Sequence, residues 1–411
     1  MDAITEAVRA MYSAFPYPAG APTFRQATDA RLLLSYGERG RPAGRPLTVL
    51  DAGCGRGVGL IGAAALQPDV DFLGIDLCGP ALEHARAEVA RRGLANVRLA
   101  EVDLMTLAGL DVPPGGFDVV LSSGVVHHLA DPEVGLRRLA NVLAPHGVLS
   151  LMVYGRRGRE SLHRLVRAID AVAPRELPLE ERLRVGRALV AGVESAPLMH
   201  GPWSDQRTIG DVEFVDRYLN VHETSYDVPG LFALCERAGL EFLRWAEPAD
   251  WDAESLVPAG PLRERIARLP AARRFALVDE LAWRPSLELV LALPGNAPRA
   301  PLDANARDDE PLAWNPEASL RIERRNLRDR ERVESLALQV RRREPLKLEN
   351  GPLAQALLAL EHQREPVRLG AVVRALGERS LAAPMARATA RAAALELLRL
   401  EALYRPHLAD C

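Results

Sequence analysis

Residues 49–59 read VLDAGCGRGVG. An apolar run ends at an acid, Asp51, and glycines follow at positions 53, 55 and 57 before a helical pattern starts at Val58. The run LTVLDAG (47–53) is β-branched and apolar and stops at glycine, which predicts a strand. The same signature recurs in DFLGIDL (71–77), NVRLAEVDL (96–104), FDVVLSS (117–123) and GVLSLMVY (147–154). Helical patterns lie between, over 58–66, 80–93 and 132–144. Pro80 and Pro132 suit a first helical position, and Gly93 and Gly147 stand where helices should stop. Strands alternating with helices at this spacing predict an α/β fold with a parallel sheet.

The glycine turn carries the chemistry. Without a Cβ at positions 53, 55 and 57, a ligand can approach the backbone closely, and the helix that follows favours a polar group at its start. A dinucleotide fingerprint wants glycine three residues after Gly55, where Val58 stands. Asp51 would repel a pyrophosphate and suits a cationic amino group. Asp76 ends the next strand candidate, 25 residues on, where a carboxylate accepts from ribose hydroxyls. Asp103 ends the third, where a short acid can accept from an exocyclic amine or cap a helix. All three acids face the carboxyl edge of the sheet, where open α/β sheets bind ligands.

With these motifs in order, residues 47–155 resemble a class I S-adenosylmethionine-dependent methyltransferase. VLDAGCGRG is similar to that family's first motif, GIDL to its second and VDL to the acid-bearing strand after it. FDVVLSSGVVHHLADP (117–132) resembles the fourth-strand motif of the small-molecule branch that includes ubiquinone and menaquinone methyltransferases. The resemblance implies a Rossmann-like sheet of seven strands, the last antiparallel and falling here on SLELVLALPG (286–295). It implies S-adenosylmethionine as cofactor. Asp51 and Gly53 would contact the methionine moiety, with Gly55 and Gly57 shaping the loop. Asp76 with Leu77 would hold the ribose, Asp103 with Leu104 the adenine, and Ser122 and Gly124 would flank the sulfonium. His127 and His128 are the catalytic candidates at the end of the fourth strand. Neither has a partner visible in sequence, so the reading leans toward catalysis by positioning, without a base.

The family places acceptor recognition in the N-terminal segment and in an insert after the fifth strand. Residues 1–46 are read as a helical lid, with Tyr12, Phe15 and Tyr17 either over the cofactor or as a hydrophobic staple. The insert, 156–228, carries Arg156, Arg157 and Arg159 and then His200, Trp203, Asp216, Tyr218, His222, Glu223 and Tyr226. These either line a pocket or rim helix–helix contacts. Beyond it lie a helix (229–240), a strand (240–246) and helices near 260–268 and 270–283. The stretch 296–315 is rich in Pro, Ala and Asp and reads as a linker. Residues 316–411 read as a small, mainly helical C-terminal domain with winged-helix-like spacing in 352–403.

Composition narrows the classes. The chain has 411 residues, 48% hydrophobic and 26% charged, which excludes collagenous and wholly disordered proteins. No apolar run reaches the length of a membrane span, and the first residues lack a secretory pattern, so a cytoplasmic protein is expected. Cys54, Cys78, Cys235 and Cys411 are too scattered for a disulfide framework or a zinc site, so no metal is expected. Net charge is -3, which does not suit bulk nucleic-acid binding. The expected acceptor is a small molecule. A protein or RNA docked by the C-terminal domain, and a non-catalytic S-adenosylmethionine-binding regulator, are the alternatives; the oligomeric state is left open. Lys347 is the only lysine, which argues against lysine chemistry.

Overall fold

The central strand β1 (Leu47–Ala52) is apolar on both faces because both are covered. In this computed structural model, which describes residues 2–20, 28–193, 205, 207–327, 330–341, 343–349, 351–360, 365–379 and 386–407, β1 pairs in parallel with β2 (Val70–Asp76) and β4 (Phe117–Ser123). β3 (Val97–Glu101) flanks β2, and β5 (Leu143–Tyr154) flanks β4, again in parallel. β6 (Glu241–Trp245) and β7 (Ser286–Ala292) complete a sheet of order β3-β2-β1-β4-β5-β7-β6, with β7 antiparallel to both neighbours. The chain runs outward from β1 to β3 and then returns to β4 on the other side. The crevice beyond the carboxyl ends of β1 and β4 is therefore the switch point of the sheet.

The helices follow their sequence signals. They run α1 (Ala3–Ala14), α2 (Ala30–Leu34), α3 (Val58–Leu66), α4 (Gly79–Arg92) and α5 (Pro132–Asn141). Asp131 caps α5 by accepting from the backbone of Glu133 and Val134. Gly93, at φ +65°, ends α4. The insert supplies α6 (Glu160–Val172), α7 (Leu179–Gly192) and α8 (Asp211–Tyr218), followed by α9 (Val228–Arg237), α10 (Pro261–Ala267) and α11 (Ala271–Leu281). Met11 of α1 is buried with Leu162, Leu165, Ile169, Val190, Phe214 and Tyr218 of the insert, while Tyr12 and Phe15 pack at the edge of that cluster. The N-terminal helix and the insert thus share one apolar core. Among the described residues no helix is long and apolar enough to cross a membrane.

The chain divides into two compact units, Met1–Ala27 with Pro46–Asn296 and Thr28–Arg45 with Ala297–Cys411. Three expectations are corrected here. First, residues 28–45 belong to the second unit, so the N-terminal lid of 1–46 is not one piece. Glu38 donates to Ala297 O, Arg299 donates to Tyr36 O, and His407 Nε2 lies 3.2 Å from Leu34 O. Second, 296–315 is not a linker. Pro311–Trp314 forms β8, the middle strand of a three-stranded sheet, and Leu312 on it is fully buried. The prolines and aspartates that suggested a linker make strand starts and turns: Asp308 accepts from Arg391 at 2.7 Å and takes the Gly370 N–H on its carbonyl. Third, the stretch from 318 to 340 is a hairpin rather than a helix, β9 (Ala318–Leu327) against β10 (Arg330–Val340), with β11 (Leu346–Leu348) beside it. Leu336, Leu338 and Val340 alternate into the core, a period of two hidden among the arginines. The helical reading holds for α12 (Pro352–Leu360), α13 (Leu369–Arg379) and α14 (Arg387–Arg399), set with β12 (Val367–Arg368) and β13 (Leu403–Tyr404) on either side of β8.

The division predicts the behaviour of a chain ending at Asn296. It strips α2 of its unit, leaving Leu32, Leu33 and Leu34, each worth about 1.5–3 kcal/mol when buried, without their native surroundings. Limited proteolysis should cut this fragment first within 28–45 and leave that segment intact in the full chain. Equal protection in both would contradict the division.

Candidate functional site

The turn after β1 is built for close approach. Gly53, Gly55 and Gly57 adopt φ of +87°, +53° and +74°, a region that disfavours side chains. The amides of Gly53 and Cys54 both donate to Ile75 O, at 2.8 and 3.0 Å, which ties the turn to the end of β2. A Cβ on Gly53 would stand 2.3 Å from Val125 Cγ2, and one on Gly55 would stand 2.6 Å from the carbonyl oxygen of Tyr17. Tyr17 and Pro18 thus lie directly on the loop. Arg56 donates to the carbonyls of Pro18 and Ala19 at 3.3 and 3.2 Å, and Cys78 Sγ lies 3.3 Å from Tyr12 O.

Asp51 and Asp76 stand at the ends of β1 and β2, where the sequence placed them, and Asp103 falls just past its strand. Asp51 is desolvated and lies beside the Asp76 carboxylate; both effects disfavour its anion, and its carboxyl is pushed up to about 7. Asp76 is raised by burial, although its Oδ2 accepts from Gly55 N at 2.7 Å and its Oδ1 from Cys78 N at 2.8 Å. Asp103 lies two residues beyond the end of β3, and its Oδ1 accepts from Met105 N at 2.8 Å, the bond of a local turn. Leu77 is half-buried, and Leu104 is buried in the core beneath the sheet edge. Ser122 is fully buried, and its Oγ has no hydrogen-bond partner among the described residues. Gly124, at φ +77°, follows it.

Beyond β4 and β5 the edge carries a buried polar cluster. His127 and His128 lie in a 3-10 turn, Val126–His128. The His127 ring lies over Tyr154, centroids 3.9 Å apart, and 4.2 Å from the His128 ring. On the far side of Tyr154 the Arg159 guanidinium sits 3.6 Å from the ring centroid. Arg159 and His163 both meet Glu223, at 3.1 Å each. Tyr12 donates to Asp216 at 2.7 Å and Tyr154 to its other oxygen at 3.5 Å, while Asn220 donates to the Tyr12 hydroxyl. Burial holds both histidines below their ordinary value, and for His127 the neighbouring His128 and Arg159 add to it. Burial likewise raises Tyr12, Tyr154 and Asp216.

Of the polar insert residues singled out in sequence, Arg159, Asp216 and Glu223 join this cluster with their side chains and His222 with its backbone carbonyl. Tyr218 packs in the core shared by α1 and the insert, and Tyr226 under the sheet edge. His200 and Trp203 lie outside the described residues. Sequence reasoning missed His163 and Asn220. His163 was findable: it stands four residues after Arg159, so the two share a helix face.

A methyltransferase-domain profile matches residues 50–149. That span runs from within β1 to within β5 and includes the glycine turn, Asp51, Asp76, Asp103 and both histidines. The chain belongs to the class I S-adenosylmethionine-dependent methyltransferases. It is 30% identical over 294 residues to an uncharacterized protein of Synechococcus, covering 68% of this chain and 69% of that one. It is 34% identical over 146 residues to the trans-aconitate 2-methyltransferase of Methylobacterium radiotolerans, covering 33% of this chain and about half, 52%, of that relative. The structure of PKMT2 from Rickettsia typhi in complex with AdoHcy superposes with a TM-score of 0.67 over 96% of this chain and 78% of that one. At 18% identity this likeness is one of fold.

The contact between turn and N-terminal segment in this methyltransferase is directly testable. Gly55→Ala puts a Cβ against the Tyr17 carbonyl at a left-handed position, so the segment 15–20 must lift. We expect a stability loss of about 1–3 kcal/mol in denaturant melts, with faster proteolysis at 15–20. Unchanged proteolysis there would show that the segment does not depend on the turn.

Proposed function

We propose that this methyltransferase moves a methyl group from S-adenosylmethionine to a small-molecule acceptor seated over the carboxyl ends of β4 and β5. The observation that carries the reading is the buried polar cluster there, next to the glycine turn and enclosed by α1 and the insert. The trans-aconitate 2-methyltransferase among its relatives supports a small acceptor.

The residues present fit the cofactor. The raised Asp51 carboxyl calls for a cation, which the amino group of the methionine moiety would be. The left-handed turn at Gly53, Gly55 and Gly57 would present backbone, with no side chain of its own, to the methionine moiety. Asp76 keeps a lone pair on each oxygen after accepting its two backbone bonds, so it can take ribose hydroxyls while shaping the loop. Leu77 would lie along the ribose, with Asp103 and Leu104 toward the adenine. Ser122 Oγ, which has no hydrogen-bond partner among the described residues, and the bare Gly124 backbone would flank the sulfonium. When bound, the cofactor supplies a methyl group activated for in-line displacement; the protein aligns two reactants and excludes water.

Two measurements test this. S-adenosylhomocysteine binding should lower the Asp51 carboxyl from about 7, because its ammonium favours the anion. At pH 7 roughly half the free molecules hold that proton, so binding should release about half a proton, falling toward zero well above pH 8. Calorimetry in buffers of different ionisation enthalpy reads this, and Asp51→Asn should abolish it. Buffer-independent heats at pH 7 would remove Asp51 from the amino-group role. Labelled S-adenosylmethionine with fractionated lysate then sizes the acceptor: label in a macromolecular fraction would replace the small-molecule reading with docking of a protein or RNA.

A further inference from the structure

His128 differs from His127 in what holds it. Its Nδ1 lies 2.7 Å from the backbone carbonyl oxygen of His222, in the insert. A carbonyl only accepts, so Nδ1 carries the hydrogen, and the neutral ring leaves a lone pair on Nε2. That Nε2 is buried and has no hydrogen-bond partner among the described residues. His127 has neither ring nitrogen bonded among the described residues, so nothing sets its tautomer.

The groups around His128 also suit a proton's arrival. Asp216 from α8 and Glu223 beyond it both favour its charged form, and Arg159 at the start of α6 opposes it. Tyr12 from α1 meets the ring edge-on at 6.2 Å, Tyr154 from β5 at 5.7 Å, and His127 lies at 4.2 Å. The two carboxylates are held in place: Asp216 accepts from Tyr12 and Tyr154, and Glu223 is met by Arg159 and His163. Two acids against one guanidinium also make poor surroundings for an anionic acceptor.

We propose that His128 Nε2 is the base of the reaction, with Asp216 and Glu223 as positioning residues whose charge favours the resulting imidazolium, and that the acceptor atom is a proton-bearing nucleophile with a lone pair, a hydroxyl or amine, rather than a carboxylate. The proposal rests on the methyl-transfer reading above. The balance is closed: a bond forms between the acceptor atom and the methyl carbon, the carbon–sulfur bond breaks with its electron pair left on sulfur, and the acceptor's proton passes to Nε2. Solvent takes it after product leaves. This reverses the expectation of pure positioning, because the partners missing from the local sequence come from the insert.

The test uses the full chain. Nitrogen-15 NMR of the histidine rings with S-adenosylhomocysteine bound should show His128 neutral and protonated on Nδ1 at pH 7; a ring protonated on Nε2 overturns the proposal. With labelled S-adenosylmethionine and the low-mass extract as acceptor pool, His128→Ala should lose 10²–10⁴-fold in kcat while S-adenosylhomocysteine affinity stays within about twofold. His127→Ala should lose less. The wild-type rate should rise with pH through a single limb as His128 loses its proton. Asp216→Asn removes a charge that favours the imidazolium, so it should lower kcat and move that limb to lower pH with KM for S-adenosylmethionine unchanged; an unmoved limb overturns the role of Asp216. Label on a hydroxyl or amine survives mild alkali, whereas label on a carboxylate leaves as methanol, and methanol release overturns the acceptor class. If wild type binds S-adenosylhomocysteine but labels nothing, the methyl-transfer reading fails and this inference falls with it; if it labels but His128→Ala labels equally well, only this inference fails.

Discussion

Asp76 accepts from Gly55 N with one carboxylate oxygen and from Cys78 N with the other, so a single side chain fixes the turn after β1 and the start of α4 together. The Ile75 carbonyl next to it takes the amides of Gly53 and Cys54. Four backbone donors that a left-handed turn and a helix start would otherwise present to solvent or ligand are thereby settled at the end of β2. The contacts on the glycine turn take their place from this lock. Val125 can close on Gly53 and Tyr17 on Gly55 only because the turn is held in a conformation without side chains. Asp51 is raised partly because the same carboxylate is pinned beside it.

The second half of the edge has a different origin. Here the polar groups come from four places: α1, the end of β5, the insert and the turn after β4. Burying this many titratable groups is costly unless each is hydrogen-bonded or paired. The apolar core that Met11 shares with Leu162, Ile169 and Phe214 brings those elements together. The Tyr12–Asp216, Arg159–Glu223 and His128–His222 contacts then satisfy part of what that packing buries, while His128 Nε2 and both His127 ring nitrogens have no hydrogen-bond partner among the described residues. Because α1 also leads into the segment that lies on the glycine turn, the two halves of the edge are mechanically joined through the first 20 residues.

This origin explains what the sequence could reveal. Parallel strands covered on both faces are short apolar runs, and the acids near their ends are local signals, so β1 to β5, the glycine turn and the positions of Asp51, Asp76 and Asp103 were legible, while the seven-stranded order came from the family resemblance. The cluster at the other end depends on pairs far apart in the chain: 204 residues separate Tyr12 from Asp216 and 94 separate His128 from His222. No periodicity links such positions, so the two histidines looked partnerless. In the second unit the difficulty was different. The alternation of Leu336, Leu338 and Val340 is a strand signal, but it is short and flanked by the charged stretches 321–334 and 341–344, which imitate the charged face of a helix. Residues 28–45 carry no mark of the unit they join, because their partners begin at Ala297.

Burial acts in opposite senses at the two ends of the site. It raises a carboxyl and lowers an imidazole, because in both it penalises the charged form. Asp51 is therefore held near neutrality at neutral pH, and His128 is held as the free base. Under the proposed reaction a cationic ligand group would draw Asp51 toward its anion, and the acceptor's proton would come to His128. The fixed charges are placed to receive that change, with Asp216 and Glu223 favouring the imidazolium and Arg159 keeping their combined field from becoming excessive. With the imidazole neutral and the Asp51 carboxyl only partly ionised, the edge carries less charge than its composition alone suggests, and this lowers the cost of burying so polar a cluster.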